Sequence, residues 1–223
     1  LMQRVLNLNG GFTGHYGDYS TGCAQVILPY VIGSNGVYEQ QTAWEVLAEK
    51  CELLVMWGAD PTVTNDIDWV TTIHENAEGM EMVKKAGVPV IAINPLKPDA
   101  AEYFGKNCEW IAPKPGTDVA MMIAMAHELE TSGKVDREFI RKYTVGYDKF
   151  IAYVLGKADG VAKTPAWAEK ICGVKADAIK RLAHLMREKR SMLMGGWGIQ
   201  RAQHGEQVHW MMVVLAAMCG HIG

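Results

Sequence analysis

Apolar residues in this chain follow two alternating patterns. Short runs with little polar interruption, at 4–8, 53–57, 88–93, 109–112 and 192–195, have the length and composition of strands buried on both faces. Between them, at 22–32, 42–49, 78–86, 100–104 and 118–130, the spacing predicts helices. Strand and helix in alternation predict an α/β fold, a doubly wound and mainly parallel sheet with helices on both faces. Residues 136–187 break the alternation with four short helical patterns and no convincing strand. The clearest runs over 175–187, where Ala178, Ile179, Leu182, Ala183 and Met186 share one face. We read an all-helical insertion there, inside a single domain covering 1–223. The last pattern, near 206–219, is apolar almost all round and predicts a buried helix.

Composition narrows the classes. The balance of 22 basic and 25 acidic residues gives a net charge of -3 and no basic run, which argues against nucleic acid and against a charged membrane patch. The most apolar stretch, 210–218, is about half of the roughly 18 residues needed to span a bilayer, so no membrane insertion is expected. Five cysteines at 23, 51, 108, 172 and 219 contain no CxxC or CxxH pair, so no zinc or iron–sulfur site can be built from local spacing. The chain opens in mid-pattern on Leu1, without a basic leader, and stops just after a helical pattern. It is expected to be a domain of something longer.

In an open parallel sheet, ligands bind beyond the carboxyl ends of the strands. The residues there are Gly58-Ala59-Asp60-Pro61 with Val63-Thr64-Asn65, then Asn94-Pro95, then Gly116-Thr117-Asp118, then Gly196-Trp197-Gly198-Ile199-Gln200-Arg201. Glycine and small polar residues at every strand end suggest a ligand laid along the edge, as in Rossmann-like folds. Asn94 can take a ribose or base edge, and Asp118 offers two adjacent acceptor oxygens to a guanine-type edge. Asp118 equally suits the first turn of a helix, and Asn94-Pro95 alone is a turn.

The usual fingerprints are missing. No GxGxxG follows the first strand and no GxxxxGK[ST] occurs, while His127, His184 and His209 lack a second His at i+4. Ser20 is not in GxSxG, and His15 is too close to it in sequence to settle a triad. What remains is the segment 10–22, with five glycines in thirteen residues, a density that permits close backbone approach to a bulky ligand. Ser20 lies at its end, before an apolar helix, where a helix cap is the competing reading.

The runs Gly17-Asp18-Tyr19-Ser20-Thr21-Gly22, Val37-Tyr38-Glu39-Gln40-Gln41-Thr42, Gly116-Thr117-Asp118-Val119-Ala120, Trp167-Ala168-Glu169-Lys170-Ile171-Cys172-Gly173, Gly196-Trp197-Gly198-Ile199-Gln200-Arg201 and His204-Gly205-Glu206-Gln207 stand in this order along the chain. They resemble the dimethyl-sulfoxide reductase family of molybdopterin oxidoreductases, in its branch of trimethylamine-N-oxide, dimethyl-sulfoxide and biotin-sulfoxide reductases. The similarity runs over essentially the whole chain, in order. It implies molybdenum held between two molybdopterin guanine dinucleotides, a bis(molybdopterin guanine dinucleotide) cofactor, with this chain carrying one of them. By the resemblance, Ser20 is the protein ligand to molybdenum, and a serine oxygen suits so hard a metal. Thr64, Asn65, Asn94, Pro95, Gly116, Thr117 and Asp118 fall on dinucleotide-contacting positions. Trp197, Gly198 and Arg201 match the loop near the pterin and substrate funnel, where Arg201 would offer a fixed positive fork. Cys23 stands where relatives commonly have Ala.

The implied activity is removal of oxygen from an S-oxide or N-oxide, most simply trimethylamine N-oxide, with electrons from a donor protein such as a c-type cytochrome. A periplasmic setting is favoured by analogy with the branch, a cytoplasmic one being the alternative. The rival readings are a biotin- or methionine-sulfoxide reductase of the same family and a non-catalytic carrier of the pterin cofactor. A carrier needs no metal ligand, so Ser20 discriminates. The domain alone is expected to be inactive, because the second dinucleotide is held elsewhere.

Overall fold

The computed structural model describes residues 1–14, 17–18, 20–39, 42–65 and 74–222. His15, Tyr16, Tyr19, Gln40 and Gln41, which belong to the motifs above, lie outside them. The elements in order are α1 (Met2–Leu8), α2 (Gly22–Ile32), α3 (Gly36–Glu39), α4 (Trp44–Lys50), β1 (Leu53–Trp57), α5 (Pro61–Thr64), α6 (Asn76–Lys85), β2 (Val90–Ile93), α7 (Asp99–Phe104), β3 (Cys108–Ile111), α8 (Asp118–Thr131), α9 (Arg137–Tyr143), α10 (Tyr147–Val154), α11 (Pro165–Cys172), α12 (Ala176–Glu188), β4 (Ser191–Gly195) and α13 (Glu206–Cys219). Single 3-10 turns occupy Gly105–Asn107 and Trp197–Gln200.

All three strand pairings are parallel, in the order β3-β2-β1-β4. Every residue of β1 and β2 is buried, as unbroken apolar runs predict for strands covered on both faces. Alternation along the strands divides the core in two. Leu53, Val55, Trp57, Ile91, Ile93 and Ile111 face α8, α11, α12 and α13, whereas Leu54, Met56 and Val90 face α4, α6 and α7. Helices cover both faces, so the sheet is doubly wound. The insertion at 136–187 is helical throughout, as α9 to α12, and it extends the larger of the two cores.

Two expectations need correction. Residues 4–8 do not form a strand: they belong to α1, whose residues are all exposed. Five residues of apolar alternation become a strand only beside a sheet neighbour, and without one Met2, Gln3, Arg4 and Leu6 follow their helical preference. The last helix, α13, is not buried all round. Val208, Met211, Leu215 and Met218 enter the core, but Trp210 on the other side is 50% exposed.

The chain runs from β1 through β2 to β3 on one side, then returns to lay β4 against the other side of β1. The order therefore reverses between β1 and β4, and a crevice at the carboxyl ends of these two strands is where such a sheet receives ligands.

Candidate functional site

At this switch point the loops leaving β1 and β4 are pressed together. The Gly196 N–H donates to the Trp57 carbonyl at 2.9 Å. A Cβ on Gly196 would stand 1.9 Å from the Gly58 oxygen, and one on Gly58 would stand 2.2 Å from Ile199 Cγ2. Glycine is required at Gly196 because a side-chain atom would meet the Gly58 and Ala59 backbone, and at Gly58, with φ +61, because the Ile199 side chain fills the space. The sequence reading of small residues at the strand ends has this contact as its cause.

The glycine-rich segment that ends in Ser20 is tied to the same place. Gln200 is 2% exposed. Its Nε2 donates to the Ser20 carbonyl at 2.9 Å, and its Oε1 accepts from the Ala24 N–H at 2.9 Å. The amide thus satisfies an N–H in the first turn of α2 that no residue of that helix can reach. Asp18 closes the segment from the other side, accepting from the Thr21 N–H at 2.6 Å and from its hydroxyl at 3.1 Å. The Thr21 backbone bond holds the Asp18 carboxyl below its ordinary value. Ser20 itself is half-buried, and its hydroxyl has no hydrogen-bond partner among the described residues. It is not the helix cap, since Thr21 occupies that position and Gln200 supplies the acceptor. Cys23 donates to the Gln200 carbonyl across 3.5 Å, and burial pushes its thiol upward, which keeps it protonated.

Trp197 and Gly198 are exposed on the 3-10 turn after β4, and Arg201 is exposed directly after it. Gln200 therefore links Ser20 with the loop that carries these three. Sequence reasoning passed over Gln200. The available signal was a polar side chain between Ile199 and Arg201 in an otherwise glycine-rich strand exit.

The other candidates spread along the same edge. Thr64 ends α5, and Asn65 next to it donates to Asn76 Oδ1 at 3.2 Å. Asn76 is 3% exposed and donates onward to the Pro61 carbonyl. Asn65, Asn76 and Pro61, with Thr62, Val63 and His74, line a cavity of about 160 Å³, and Thr64 is not among its lining residues. Asp60 is occupied structurally: its carboxylate accepts from the Asp99 and Ala100 N–H groups and so caps α7 from a distance. Asn94 is half-buried, with Nδ2 3.4 Å from the Ala59 carbonyl, and Pro95 beside it is exposed. Gly116 adopts φ +73 with open space around it, and the Thr117 hydroxyl donates to the Lys114 carbonyl at 2.6 Å.

Asp118 departs from its expected geometry. It is 9% exposed, and its Oδ1 accepts from the indole N–H of the fully buried Trp57 at 2.8 Å. One of the two oxygens expected to face a base edge is therefore committed to the core. A larger cleft of about 250 Å³ lies at the opposite edge, against Leu53, Val90 and Cys108, where strands begin. No candidate residue lines it.

Among the described residues no group of three or more His, Cys, Asp or Glu side chains could hold a metal ion. No described helix is long and apolar enough to cross a membrane. A metal whose other ligands come from its own organic cofactor needs a single protein donor, and a hydroxyl with no partner among the described residues, on a glycine-rich loop, fits that requirement.

Comparison with known proteins identifies the family of the chain. The family model described as Molybdopterin oxidoreductase matches residues 1–223. The chain is 50% identical over 223 residues to trimethylamine-N-oxide reductase of Haemophilus influenzae, covering all of this chain and 27% of that protein. It is likewise 50% identical over 223 residues to dimethyl sulfoxide/trimethylamine N-oxide reductase of Rhodobacter capsulatus, with the same coverage. It therefore spans about a quarter of the length of these relatives. Acetylene hydratase from Pelobacter acetylenicus shares the fold, with a TM-score of 0.62 and 17% identity over 92% of this chain and 28% of that one. With a family match over every residue and half the sequence shared with two such reductases, this chain belongs to the molybdopterin oxidoreductase family.

Proposed function

We propose that this chain is the cofactor-binding domain of a molybdenum-dependent reductase that removes oxygen from N-oxides and S-oxides, with trimethylamine N-oxide as its substrate. The observation that carries the reading is Ser20, whose hydroxyl has no hydrogen-bond partner among the described residues, at the sheet's switch point on a backbone anchored from both sides. The names of the relatives, trimethylamine-N-oxide reductase and dimethyl sulfoxide/trimethylamine N-oxide reductase, support the substrate class.

In this reading the cofactor is a bis(molybdopterin guanine dinucleotide) with molybdenum, and when bound it supplies the two-electron redox chemistry. The residues of the chain bind, orient and shield. Ser20 donates a hard anionic oxygen to the metal. Arg201 holds a permanent positive charge near the oxide oxygen, and Trp197 walls the approach with a flat apolar face. Thr64, Asn65, Asn94, Pro95, Gly116, Thr117, Asp118 and Gly198 line the path of one dinucleotide along the carboxyl edge. For Asp118 only Oδ2 remains for a guanine edge, so it makes one contact there. By analogy with the branch, the intact protein works in the periplasm in anaerobic respiration and takes electrons from a c-type cytochrome. The domain alone is inactive.

The test is substitution of Ser20 in the full-length enzyme. Ser20→Ala should retain the pterin, change the metal spectrum and remove most N-oxide reduction. Ser20→Cys, with a softer and more covalent thiolate, should shift the reduction potential and the turnover. Wild-type turnover with an unchanged spectrum in both variants would refute the assignment.

A further inference from the structure

We infer that Gln200 is a positioning residue for Ser20, fixing the ligand oxygen relative to the loop that carries Trp197 and Arg201. The inference rests on the reading of Ser20 as the metal ligand. Both polar ends of the buried Gln200 amide are spent on one short segment: Nε2 on the Ser20 carbonyl and Oε1 on the Ala24 N–H. These bonds lie on the two sides of Thr21, Gly22 and Cys23, so they determine how far Ser20 stands from the start of α2. A third contact, from Cys23 Sγ to the Gln200 carbonyl, joins the same two segments.

The anchor itself has little freedom. On one side of it, Gly58 and Gly196 bring the β1 and β4 exits together with no room for a Cβ. On the other side, a Cβ on Gly205 would lie 1.8 Å from the Gln200 carbonyl oxygen, so the backbone after Arg201 closes directly onto Gln200. A side chain held this way imposes its position on its partner. Arg201 is the next residue and Trp197 is three before it, so one buried amide sets the spacing between the metal ligand and the residues that meet substrate.

The decisive variant is Gln200→Met in the full-length holoenzyme, because it keeps much of the size and removes both the donor and the acceptor. The metal absorption and electron paramagnetic resonance spectra should depart from wild type. The kcat should fall by about tenfold with KM changed much less, the loss expected for one misplaced hydrogen-bonded group. Molybdenum and pterin content should stay at wild-type level. Gln200→Asn keeps the amide but draws it back by one methylene, so it should shift the spectrum and kcat in the same direction; if Gln200→Met fails to fold, Gln200→Asn decides alone. A wild-type spectrum and kcat in the folded variant overturn the inference, provided Ser20→Ala does change the spectrum. An unchanged Ser20→Ala spectrum instead refutes the ligand reading on which it rests.

Discussion

Asp118 carries two demands at once. Its Oδ1 satisfies the indole N–H of Trp57, a donor with no access to water, and its place in the first turn of α8 complements the helix dipole. Removing the acceptor orphans a buried donor, which costs about 1–3 kcal/mol. Asp118→Ala should therefore destabilise the domain by about that amount and lower retained cofactor as well. Asp118→Asn separates the two roles, because its carbonyl oxygen still accepts from Trp57 while the charge is gone. Thermal denaturation close to wild type with reduced pterin content is the expected result for Asp118→Asn. Full cofactor retention would leave Asp118 a structural residue only.

At the scale of elements, the site depends on how closely β1 and β4 leave the sheet. Gly196 sits where an added Cβ would meet the backbone of Gly58 and Ala59, which cannot rotate away as a side chain tip would. Gly196→Ala should force the two loops apart at a cost of about 1–3 kcal/mol, the usual penalty for overpacking. Hydrogen exchange in the full-length protein should speed up in β1, β4 and the first turn of α2, which hangs on this junction through Gln200. Exchange confined to the substituted loop would show that Ser20 is held independently. The same geometry explains why the strand exits read as small and polar in the sequence: two backbones share space that one side chain would fill.

Across the whole molecule, buried histidines make stability depend on pH. Burial lowers the pKa of His209, whose Nε2 has no hydrogen-bond partner among the described residues, from its ordinary 6.5. His127 and His221 are lowered chiefly by burial too, His127 against the opposing charge of Glu128 and His221 with help from Arg187. A folded-state pKa below the unfolded one means the unfolded chain binds more protons, so stability is fully present above 6.5 and is lost as pH falls through the lowered values. The melting temperature should drop between about pH 7.5 and pH 5.5, and His209→Leu should flatten part of that slope. An unchanged slope in His209→Leu would mean that His209 is already charged in the folded protein or exposed there.

Two kinds of information meet in this chain. Sequence alone determined β1 to β4 within a residue or two, the helices between them and the helical insertion. Burial on both faces of a sheet or on one face of a helix writes a local pattern that is visible without knowing the neighbours. Ser20, Trp197 and Arg201 stood out as candidates as well, through glycine-rich runs that resemble a known family. Tertiary structure decided what depends on a partner far along the chain. Residues 4–8 form a helix because no strand lies beside them. The Asp118 oxygen was taken by a tryptophan 61 positions away. The clamp on Ser20 joins residues 180 apart, and its second bond joins residues 176 apart. Such pairs exist only after β4 has come back to lie against β1, and until that closure Gln200 is one polar residue in a loop.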